Sequence, residues 1–290
     1  MRTGLKAAAS KRIIIVGAGM AGLTAAAYLS RAGHSPLILE MSPASGGLVG
    51  SFSREGFVFD AGPRAIGNAG ALLPMLDDLG IKLRLQKGQV STGIKDYLIH
   101  HDSPAATEEF IASLKRLFPA ESRQIDRIAR LTRRYTRMAA TLNAMPNPFF
   151  RNPLKEPRYL ITRFLPWLPG FLSVVLRSSR RTRPVEAVLA DITNNQPLID
   201  MISQHFFKGT PANFALGYFA NFQDYLYPQG GTGSIPQALT QYITAKGGRI
   251  LTNTKAVTID ARQQILTDDQ GTKHPYDALL WTADLKSLYR

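Results

Sequence analysis

The feature that most constrains this chain is a glycine-rich turn between a β-branched strand and a helix. Residues 13–16 are Ile-Ile-Ile-Val, and the sequence continues as Gly17-x-Gly19-x-x-Gly22. In this spacing the first glycine permits a tight turn, the second lets the backbone approach a pyrophosphate, and the third lets the helix pack closely on the strand. The helix N-terminus then faces the phosphates with its dipole and free N–H groups. The pattern predicts a dinucleotide-binding βαβ unit.

A second apolar run, residues 37–39, leads to an acidic residue, Glu40, which lies 18 residues after Gly22. A carboxylate near this position accepts hydrogen bonds from an adenosine ribose and disfavours a 2′-phosphate. Gly33 is expected to end the intervening helix. The stretch therefore predicts an adenine dinucleotide with a free 2′-hydroxyl. It leaves NAD and FAD open and argues against NADP.

Composition excludes several other kinds of chemistry. The 290 residues include no cysteine, which excludes disulfides, thiolate metal sites and cysteine nucleophiles. An apolar content of 44% with a mean hydropathy of −0.09 indicates a globular protein with a sizeable core. Residues 1–12 have no apolar core, so we expect no signal peptide and a cytoplasmic location. No metal-binding cluster and no Ser/His/Asp set is evident, and we predict no metal.

Positive charge is concentrated in one quarter of the sequence. Residues 112–183 carry 16 Lys or Arg against 3 Asp or Glu, whereas the other 218 residues carry 19 against 18. Such a concentration indicates a surface that meets anionic lipid or nucleic acid. No nucleic-acid recognition module accompanies the charge, so we expect no nucleic-acid partner.

The same quarter contains an amphipathic helical pattern. Apolar residues follow helical spacing from residue 105 to residue 142, and arginines recur on the opposite face in steps of four and three. They are Arg123, Arg127, Arg130, Arg134 and Arg137.

An apolar stretch follows at residues 159–176. It is interrupted by Arg163, Pro166, Pro169 and Gly170, which argues against a transmembrane helix. It carries aromatic anchors and flanking arginines of the kind found at membrane interfaces: Phe164, Trp167, Phe171, Arg177, Arg180, Arg181 and Arg183. We therefore predict an interfacial segment on an anionic membrane surface. The alternatives are a solvated arginine face and an ordinary core or subunit-interface helix.

Two blocks of sequence resemble a known superfamily. The first, residues 41–67, contains Gly46-Gly47 and then "GFVFDAGP". At this point the chain resembles the flavoprotein amine oxidase and phytoene desaturase superfamily. The second block, residues 225–284 with "YPQGG" and "GGRI", is similar to the middle of phytoene desaturases, carotenoid isomerases and retinol saturase-like proteins. By pattern alone it predicts a turn at 227–231, a helix over 235–245, and strands with a hairpin after Gly248.

The resemblance implies an α/β fold, in which a Rossmann-like FAD-binding domain of the GR2 type carries an inserted, mainly helical substrate and membrane region. It implies FAD as the cofactor. The Gly46-Gly47 loop then follows the pyrophosphate and ribityl chain, and the backbone of Val257 holds the adenine. We expect the two FAD-binding segments at residues 1–75 and 223–290, and the inserted region at 76–222.

The predicted cofactor-binding residues come from the glycine turn, the acid after the second strand and the resembling blocks. They are Gly17, Ala18, Gly19, Ala21, Gly22, Glu40, Gly46, Gly47, Leu48, Gly62, Pro63, Arg64 and Val257. The resemblance places Asp60, Pro63 and Arg64 beside the flavin ring, as candidates for tuning its chemistry. An arginine there stabilises a reduced, anionic flavin; the alternative is a surface arginine on a loop.

The implied activity is desaturation, saturation or isomerisation of an apolar polyene or isoprenoid substrate taken from a membrane. In desaturases of this kind the flavin is the hydride acceptor. Amine oxidases usually have arginine where this chain has Leu48, which argues against amine oxidation. Family members run well beyond 290 residues, so the alternative is a truncated, non-catalytic FAD-fold protein at a membrane surface. His100-His101-Asp102 is expected to be a loop and not a site.

Overall fold

We analysed a computed structural model of the chain. The structure describes residues 11–67, 71–94, 96–101, 103, 105–144, 156–178, 183–219 and 225–289. Contacts divide the chain into two compact units. Unit 1 comprises Met1–Ile66, Leu76–Gln86 and Tyr227–Arg290, and unit 2 comprises Gly67–Met75 and Lys87–Leu226.

Strands come mainly from the two ends of the chain. They are β1 (Ile13–Val16), β2 (Leu37–Leu39), β3 (Ser51–Arg54), β4 (Phe57–Asp60), β5 (Leu85–Lys87), β6 (Ser91–Ile94), β7 (Tyr97–His100), β8 (Leu226–Pro228), β9 (Arg249–Leu251), β10 (Ala256–Asp260), β11 (Ile265–Asp268), β12 (Lys273–Pro275) and β13 (Ala278–Trp281).

Helices dominate the middle of the chain. They are α1 (Met20–Arg31), α2 (Leu72–Leu79), α3 (Ala105–Leu117), α4 (Ser122–Asn143), α5 (Pro157–Tyr159), α6 (Leu165–Ser178), α7 (Val185–Ala190), α8 (Gln196–Ser203), α9 (Ala212–Gly217), α10 (Ser234–Ala245) and α11 (Leu285–Leu288). A 3₁₀ turn at Pro119–Glu121 precedes α4, and a π-helical turn at Leu160–Phe164 joins α5 to α6.

Unit 1 is built on a four-stranded parallel sheet in the order β13-β1-β2-β9. Every residue of β1 is buried, because the strand lies in the interior of the sheet; Ile15, fully buried, stands opposite Ile38 on one side and Leu280 on the other. Continuous apolar runs of this kind are typical of parallel strands covered on both faces. Helices α1 and α10 pack against each other beside the sheet.

Two antiparallel elements complete unit 1. Strands β10, β11 and β12 form a three-stranded sheet, and β3 pairs with β4 in a hairpin. Leu266 of β11 is fully buried and joins Ile14, Val16 and Leu39 in one apolar core. The predicted helix over 235–245 and the predicted hairpin are both present. Tyr227 and Pro228, predicted as part of a turn, instead belong to the short strand β8.

Unit 2 is mainly helical and has its own core. Buried side chains from α3, α4, α7, α8 and α9 meet there, among them Ile125, Leu189, Leu198 and Leu216. The predicted helical pattern of residues 105–142 corresponds to α3 and α4, which are separated by the 3₁₀ turn at Pro119. The five arginines predicted on one face of α4 are exposed, whereas its sixth, Arg133, is partly buried and pairs with Glu108.

One continuous helical stretch, Pro157–Leu176, is long and apolar enough to cross a membrane by length and composition. Only 6% of it is buried in the structure, so it is not a core helix. Of the arginines predicted to flank it, Arg180 and Arg181 lie outside the described residues, whereas Arg183 pairs with Asp191 at 2.6 Å.

Candidate dinucleotide-binding site

The glycine turn after β1 leaves no room for side chains at two positions. Gly17 has φ of +99°, in the region that favours glycine, and its amide donates to the Leu39 carbonyl at 2.8 Å. A Cβ on Gly22 would lie 2.0 Å from the carbonyl oxygen of Gly17. Gly22 therefore lets α1 approach the end of β1, as the sequence predicted.

Gly19 has a different role, because its Cβ position is open. Apart from its chain neighbours and the backbone of α1, no atom of the described residues lies within 4 Å of that position, and Gly19 caps α1 without any side-chain hydrogen bond. Ala21 is exposed in the first turn of the helix. The first N–H groups of a helix have no intrahelical acceptor, so they are available to a bound anion. The backbone here can approach a pyrophosphate without hindrance from a side chain.

Glu40 is 8% exposed and organises the loops around the turn. Its Oε2 accepts a hydrogen bond from the Ala18 amide at 2.7 Å, and its Oε1 accepts one from the Ser42 amide at 2.8 Å. Each carboxylate oxygen has a second lone pair. The side chain therefore has free acceptor capacity for further donors such as ribose hydroxyls.

The Gly46-Gly47 loop packs directly on the glycine turn. The Gly46 amide donates to the Ala18 carbonyl at 2.8 Å, and a Cβ on Gly47 would lie 3.3 Å from the Cα of Gly19. The next residue, Leu48, is 80% exposed, and its carbonyl oxygen would lie 2.3 Å from a Cβ on Gly62. The structure thus brings the two glycine motifs and the "FDAG" turn into one cluster.

Asp60 ends strand β4 and accepts four hydrogen bonds. Its Oδ1 accepts from the Ser51 hydroxyl at 2.9 Å, from the Thr232 amide at 2.8 Å and from the Thr232 hydroxyl at 2.9 Å. Its Oδ2 accepts from the Tyr227 hydroxyl at 2.7 Å. Asp60 therefore fastens the β3–β4 hairpin to the loop that precedes α10.

These bonds fix the charge of Asp60. Burial raises the pKa of the carboxyl, but the hydrogen bonds from Tyr227, Thr232 and Ser51 outweigh burial and hold the pKa below its usual range. The hydrogen bond to Asp60 in turn raises the pKa of the Tyr227 hydroxyl. Asp60 is thus an ionised positioning residue and not a proton donor at neutral pH. Pro63 and Arg64 follow it in the exposed part of the same turn.

Val257 lies in β10, outside the glycine cluster. The register of β10 against β11 shifts between Ala256 and Thr258, so Val257 has no opposite residue in this pairing. Its side chain is 61% exposed. Three residues earlier, the Thr254 amide donates to the Glu40 carbonyl at 2.9 Å, which connects the start of β10 to the end of β2. The bulge leaves the backbone of Val257 open to a ligand.

Sequence reasoning missed Thr282, which closes the glycine turn from the other side. Its hydroxyl donates to the carbonyl oxygens of Val16 and Gly17 at 2.8 and 3.0 Å. The available signal was its position directly after the apolar strand β13, which runs parallel to β1. Ser51 and Thr232 were also missed, because nothing in their local sequence pairs them with Asp60.

The two histidines belong to unit 2, at the end of β7 and in the turn that follows it. His100 ends β7, and His101 is 7% exposed, with its Nε2 at 2.8 Å from the Thr92 hydroxyl oxygen. The expectation of a loop was wrong for His100, because strand pairing, which the local pattern does not show, decides its conformation. Asp102 lies outside the described residues.

The cluster in unit 1 fits a dinucleotide such as FAD. The open Cβ position at Gly19 and the uncapped first turn of α1 suit a pyrophosphate, and the buried acid suits a ribose. The fit rests on Gly17, Gly19, Gly22, Gly46 and Glu40.

Comparison with known proteins agrees with this geometry. Residues 20–290 match the family model described as flavin containing amine oxidoreductase. The chain is 28% identical over 262 residues to the inactive all-trans-retinol 13,14-reductase of Danio rerio, covering 83% of this chain and 41% of that protein. It is 27% identical to the human all-trans-retinol 13,14-reductase (Homo sapiens), covering 89% and 43%. It is also 27% identical to prolycopene isomerase 2 of an Oncidium hybrid cultivar, covering 82% and 42%. The chain thus spans about two fifths of the length of these relatives.

Solved structures show the same fold. An oxidoreductase from Methanosarcina mazei superposes with a TM-score of 0.57 at 19% identity, covering 93% of this chain and 58% of that one. A putrescine oxidase bound to putrescine superposes with a TM-score of 0.56 at 18% identity, covering 93% and 57%. The predicted α/β Rossmann-like fold with a helical insertion is confirmed, and so is FAD as the cofactor.

Proposed function

Since this chain belongs to the family of flavin-containing amine oxidoreductases, we propose that it is an FAD-dependent oxidoreductase acting on a polyene or isoprenoid lipid. The observation that carries the proposal is the similarity to retinol 13,14-reductases and a prolycopene isomerase over more than four fifths of this chain. Desaturation, saturation and isomerisation are the reactions that fit such a substrate.

We assign the binding roles to the residues described above. The amides at the start of α1 and the loop of Gly46 and Gly47 hold the pyrophosphate, and Glu40 accepts the ribose hydroxyls. The backbone of Val257 holds the adenine. When bound, FAD would supply the hydride-transfer chemistry. Asp60 keeps the turn that carries Pro63 and Arg64 in place.

Arg64 is proposed as the residue that places positive charge at the flavin ring. It is exposed on the turn fastened by Asp60, and no ion pair within the described part of the chain neutralises it. A guanidinium at that position stabilises negative charge that develops on the ring. Leu48 offers no such charge, which supports a lipid substrate over an amine.

A non-catalytic role is the second candidate. One of the relatives is named as an inactive reductase, so similarity of this degree includes a protein without that activity. In this role the chain keeps the FAD fold and serves at a membrane surface.

We also propose separate functions for two regions of the chain. Residues 1–75 and 223–290 form the FAD-binding domain, and residues 76–222 form the substrate and membrane-associating region. The location proposed is cytoplasmic and peripheral at a membrane. The supports are the basic middle of the sequence and the exposed apolar helix of unit 2.

The proposal is tested with the purified chain. It should bind added FAD, giving an absorbance band near roughly 450 nm that is typical of an oxidised flavin. Loaded with FAD and supplied with dithionite as the reductant, it should saturate all-trans-retinol or isomerise prolycopene, giving a product separable by chromatography. Gly19→Val, which fills a position where a Cβ meets none of the described residues packed around the turn, is the cofactor-free control.

The outcomes separate the candidates. Conversion of a polyene that is absent with Gly19→Val supports the enzyme. Bound FAD without conversion of either polyene supports the non-catalytic candidate. Peroxide produced from putrescine would instead assign amine oxidation, and a chain that binds no FAD contradicts both candidates.

A further inference from the structure

The helical stretch Pro157–Leu176 exposes an apolar stripe along one side. Ile161, Leu165, Leu172 and Leu176 are 63%, 49%, 48% and 66% exposed. Their spacings of four, seven and four residues put them on one face of a helix, about 22 Å long at 1.5 Å per residue. A continuous apolar strip of this kind on a protein surface marks an interaction site.

The opposite side of this helical stretch is fixed to α4. The Trp167 indole Nε1 donates to the Thr141 carbonyl at 2.7 Å, and a Cβ on Gly170 would lie 3.3 Å from Cγ2 of Thr141. Val174 on the same side is buried. Because one face is held by α4, the opposite face, which carries the apolar stripe, is turned outward. The stretch therefore suits a position parallel to a membrane surface and not across it.

The exposed arginines of α4 lie on the same face of that helix as Thr141, which makes this contact. Thr141 follows Arg137 by four residues and Arg134 by seven, so it continues the same face of α4. The five arginines of that face, which we call the arginine ridge, are exposed, and none makes an ion pair within the described part of the chain. They are Arg123, Arg127, Arg130, Arg134 and Arg137. The ridge and the apolar stripe therefore lie on one side of unit 2.

Two further cations stand where the stretch begins. Arg158 and Arg163 line an open cavity of about 630 Å³, together with Ala144, Glu156, Tyr159 and Thr162. Ala144 is the residue after α4, so this cavity lies at the same end of the ridge. The cavity thus adds two guanidinium groups beside the apolar stripe.

We propose that this surface docks unit 2 flat on an anionic phospholipid bilayer. The apolar stripe enters the boundary of the hydrocarbon region, while the ridge, Arg158 and Arg163 contact lipid phosphates. Charge complementarity selects this partner, because two copies of the chain meeting at this surface would oppose seven cations to seven cations. This proposal adds a binding partner to the proposed function. It rests on that function in one respect, which is that the lipid substrate is held in the same bilayer.

The experiment is co-sedimentation of the full chain with vesicles. One set is phosphatidylcholine, and the other has part of it replaced by phosphatidylglycerol. We expect binding to the anionic vesicles that is lost in high salt, and at least about tenfold weaker binding to the neutral ones. Equal binding to both sets, or binding to neither, overturns the proposal.

Two matched pairs of variants locate the surface. R127Q/R130Q/R134Q should weaken binding to anionic vesicles by about tenfold or more, whereas R262Q/K273Q/K286Q, which removes the same charge from unit 1, should change it by less than about threefold. I161S/L172S should also weaken binding, whereas L98S/F207S, at exposed positions elsewhere in unit 2, should not. Equal effects within a pair overturn the assignment to this surface.

Two readouts separate this inference from the proposed function. FAD absorbance and the unfolding midpoint should be the same in wild type and in R127Q/R130Q/R134Q, because the ridge takes no part in the flavin site. Vesicle binding by Gly19→Val should equal that of wild type. A vesicle-free dimer that I161S/L172S dissociates would assign the stripe to a second copy and overturn the proposal.

Discussion

The two units of this chain differ in whether backbone groups or side chains make the proposed contacts with a ligand. In unit 1 the proposed ligand contacts are mostly backbone groups, made accessible by missing side chains at Gly17, Gly19 and Gly46. In unit 2 they are exposed side chains, the arginine ridge and the apolar stripe. A single methyl group should therefore disturb unit 1, whereas unit 2 should respond to changes of charge or polarity. The predictions below test this contrast, beginning with the largest effect.

Gly22→Ala should be the most disruptive substitution. Its Cβ would lie 2.0 Å from the Gly17 oxygen and 2.7 Å from the Thr282 hydroxyl oxygen, so α1 must move away from the sheet. We expect a loss of about 3 kcal/mol or more in the free energy of unfolding, measured in urea. Gly19→Ala is the matched control and should cost less than about 1 kcal/mol while weakening FAD binding. Equal stability of the two variants would break the contrast.

Asp60→Ala should cost about 2–3 kcal/mol, because four hydrogen bonds to a charged group are lost together. The measurement is again urea unfolding, with FAD binding followed in parallel. Asp96→Ala, at an exposed position in unit 2, is the control and should stay within about 0.5 kcal/mol of wild type. If both variants lose the same stability, Asp60 does not fasten the loop before α10.

Trp167→Phe should cost about 1 kcal/mol by removing the hydrogen bond to the Thr141 carbonyl. Trp281→Phe removes a bond from the same indole atom to the Asp284 carbonyl, at 3.0 Å in an exposed setting, and should cost less. The chain has two tryptophans, so the second variant also leaves Trp167 as the sole indole. Because Trp167 packs against α4 and not on the apolar stripe, its fluorescence should be the same with and without anionic vesicles. A shift to shorter wavelength would show that the contact between Trp167 and α4 changes on the bilayer.

The smallest effect should appear in mild acid and should be confined to unit 2. Burial, and to a lesser degree His205, lower the pKa of His101, while Glu109 opposes the shift. The unfolded chain then binds a proton more readily than the folded one, so stability is full above about pH 6.5 and falls as the pH drops below it. The pKa of the Asp60 carboxyl is also lowered in the folded chain. Its contribution to the free energy of unfolding is therefore lost only below about pH 4, in more acidic solution than that of His101.

Urea unfolding between about pH 7 and pH 5 measures this dependence, which cannot exceed about 1.4 kcal/mol per pH unit for one proton. His101→Gln should flatten the slope, because no titrating group remains at that position. A slope that His101→Gln leaves unchanged would show that another group is responsible.

The sequence predicted those parts of the site that follow local rules. The strand, the glycine turn, α1 and Glu40 lie where the motif placed them, because their geometry is decided within about thirty residues. Helix α10 and the β10–β11 hairpin follow equally local patterns of apolar spacing and turn residues.

The remainder of the site depends on contacts between distant residues. Asp60 accepts hydrogen bonds from Tyr227 and Thr232, which lie 167 and 172 residues away in the sequence. No local pattern in "FDAG" indicates those partners. Thr282 reaches the glycine turn only because β13 pairs with β1. The bulge at Val257 and the burial of His101 likewise arise from pairing and packing, which a single sequence does not specify.

The pairing of β1 with β13 also governs when unit 1 can fold during synthesis. Arg12, just before β1, bonds to Asp277, 265 residues later, and Ile13 stands opposite Ala278. At ribosomal rates of about 5–20 residues per second, β1 waits on the order of tens of seconds for its neighbour. The long segment of unit 2, Lys87–Leu226, is complete well before then. The nascent chain therefore carries an apolar β1 that can pair with β2 on one edge but has no partner on the other while the helical unit is already complete. The exposure of that free edge to aggregation is greatest in this interval.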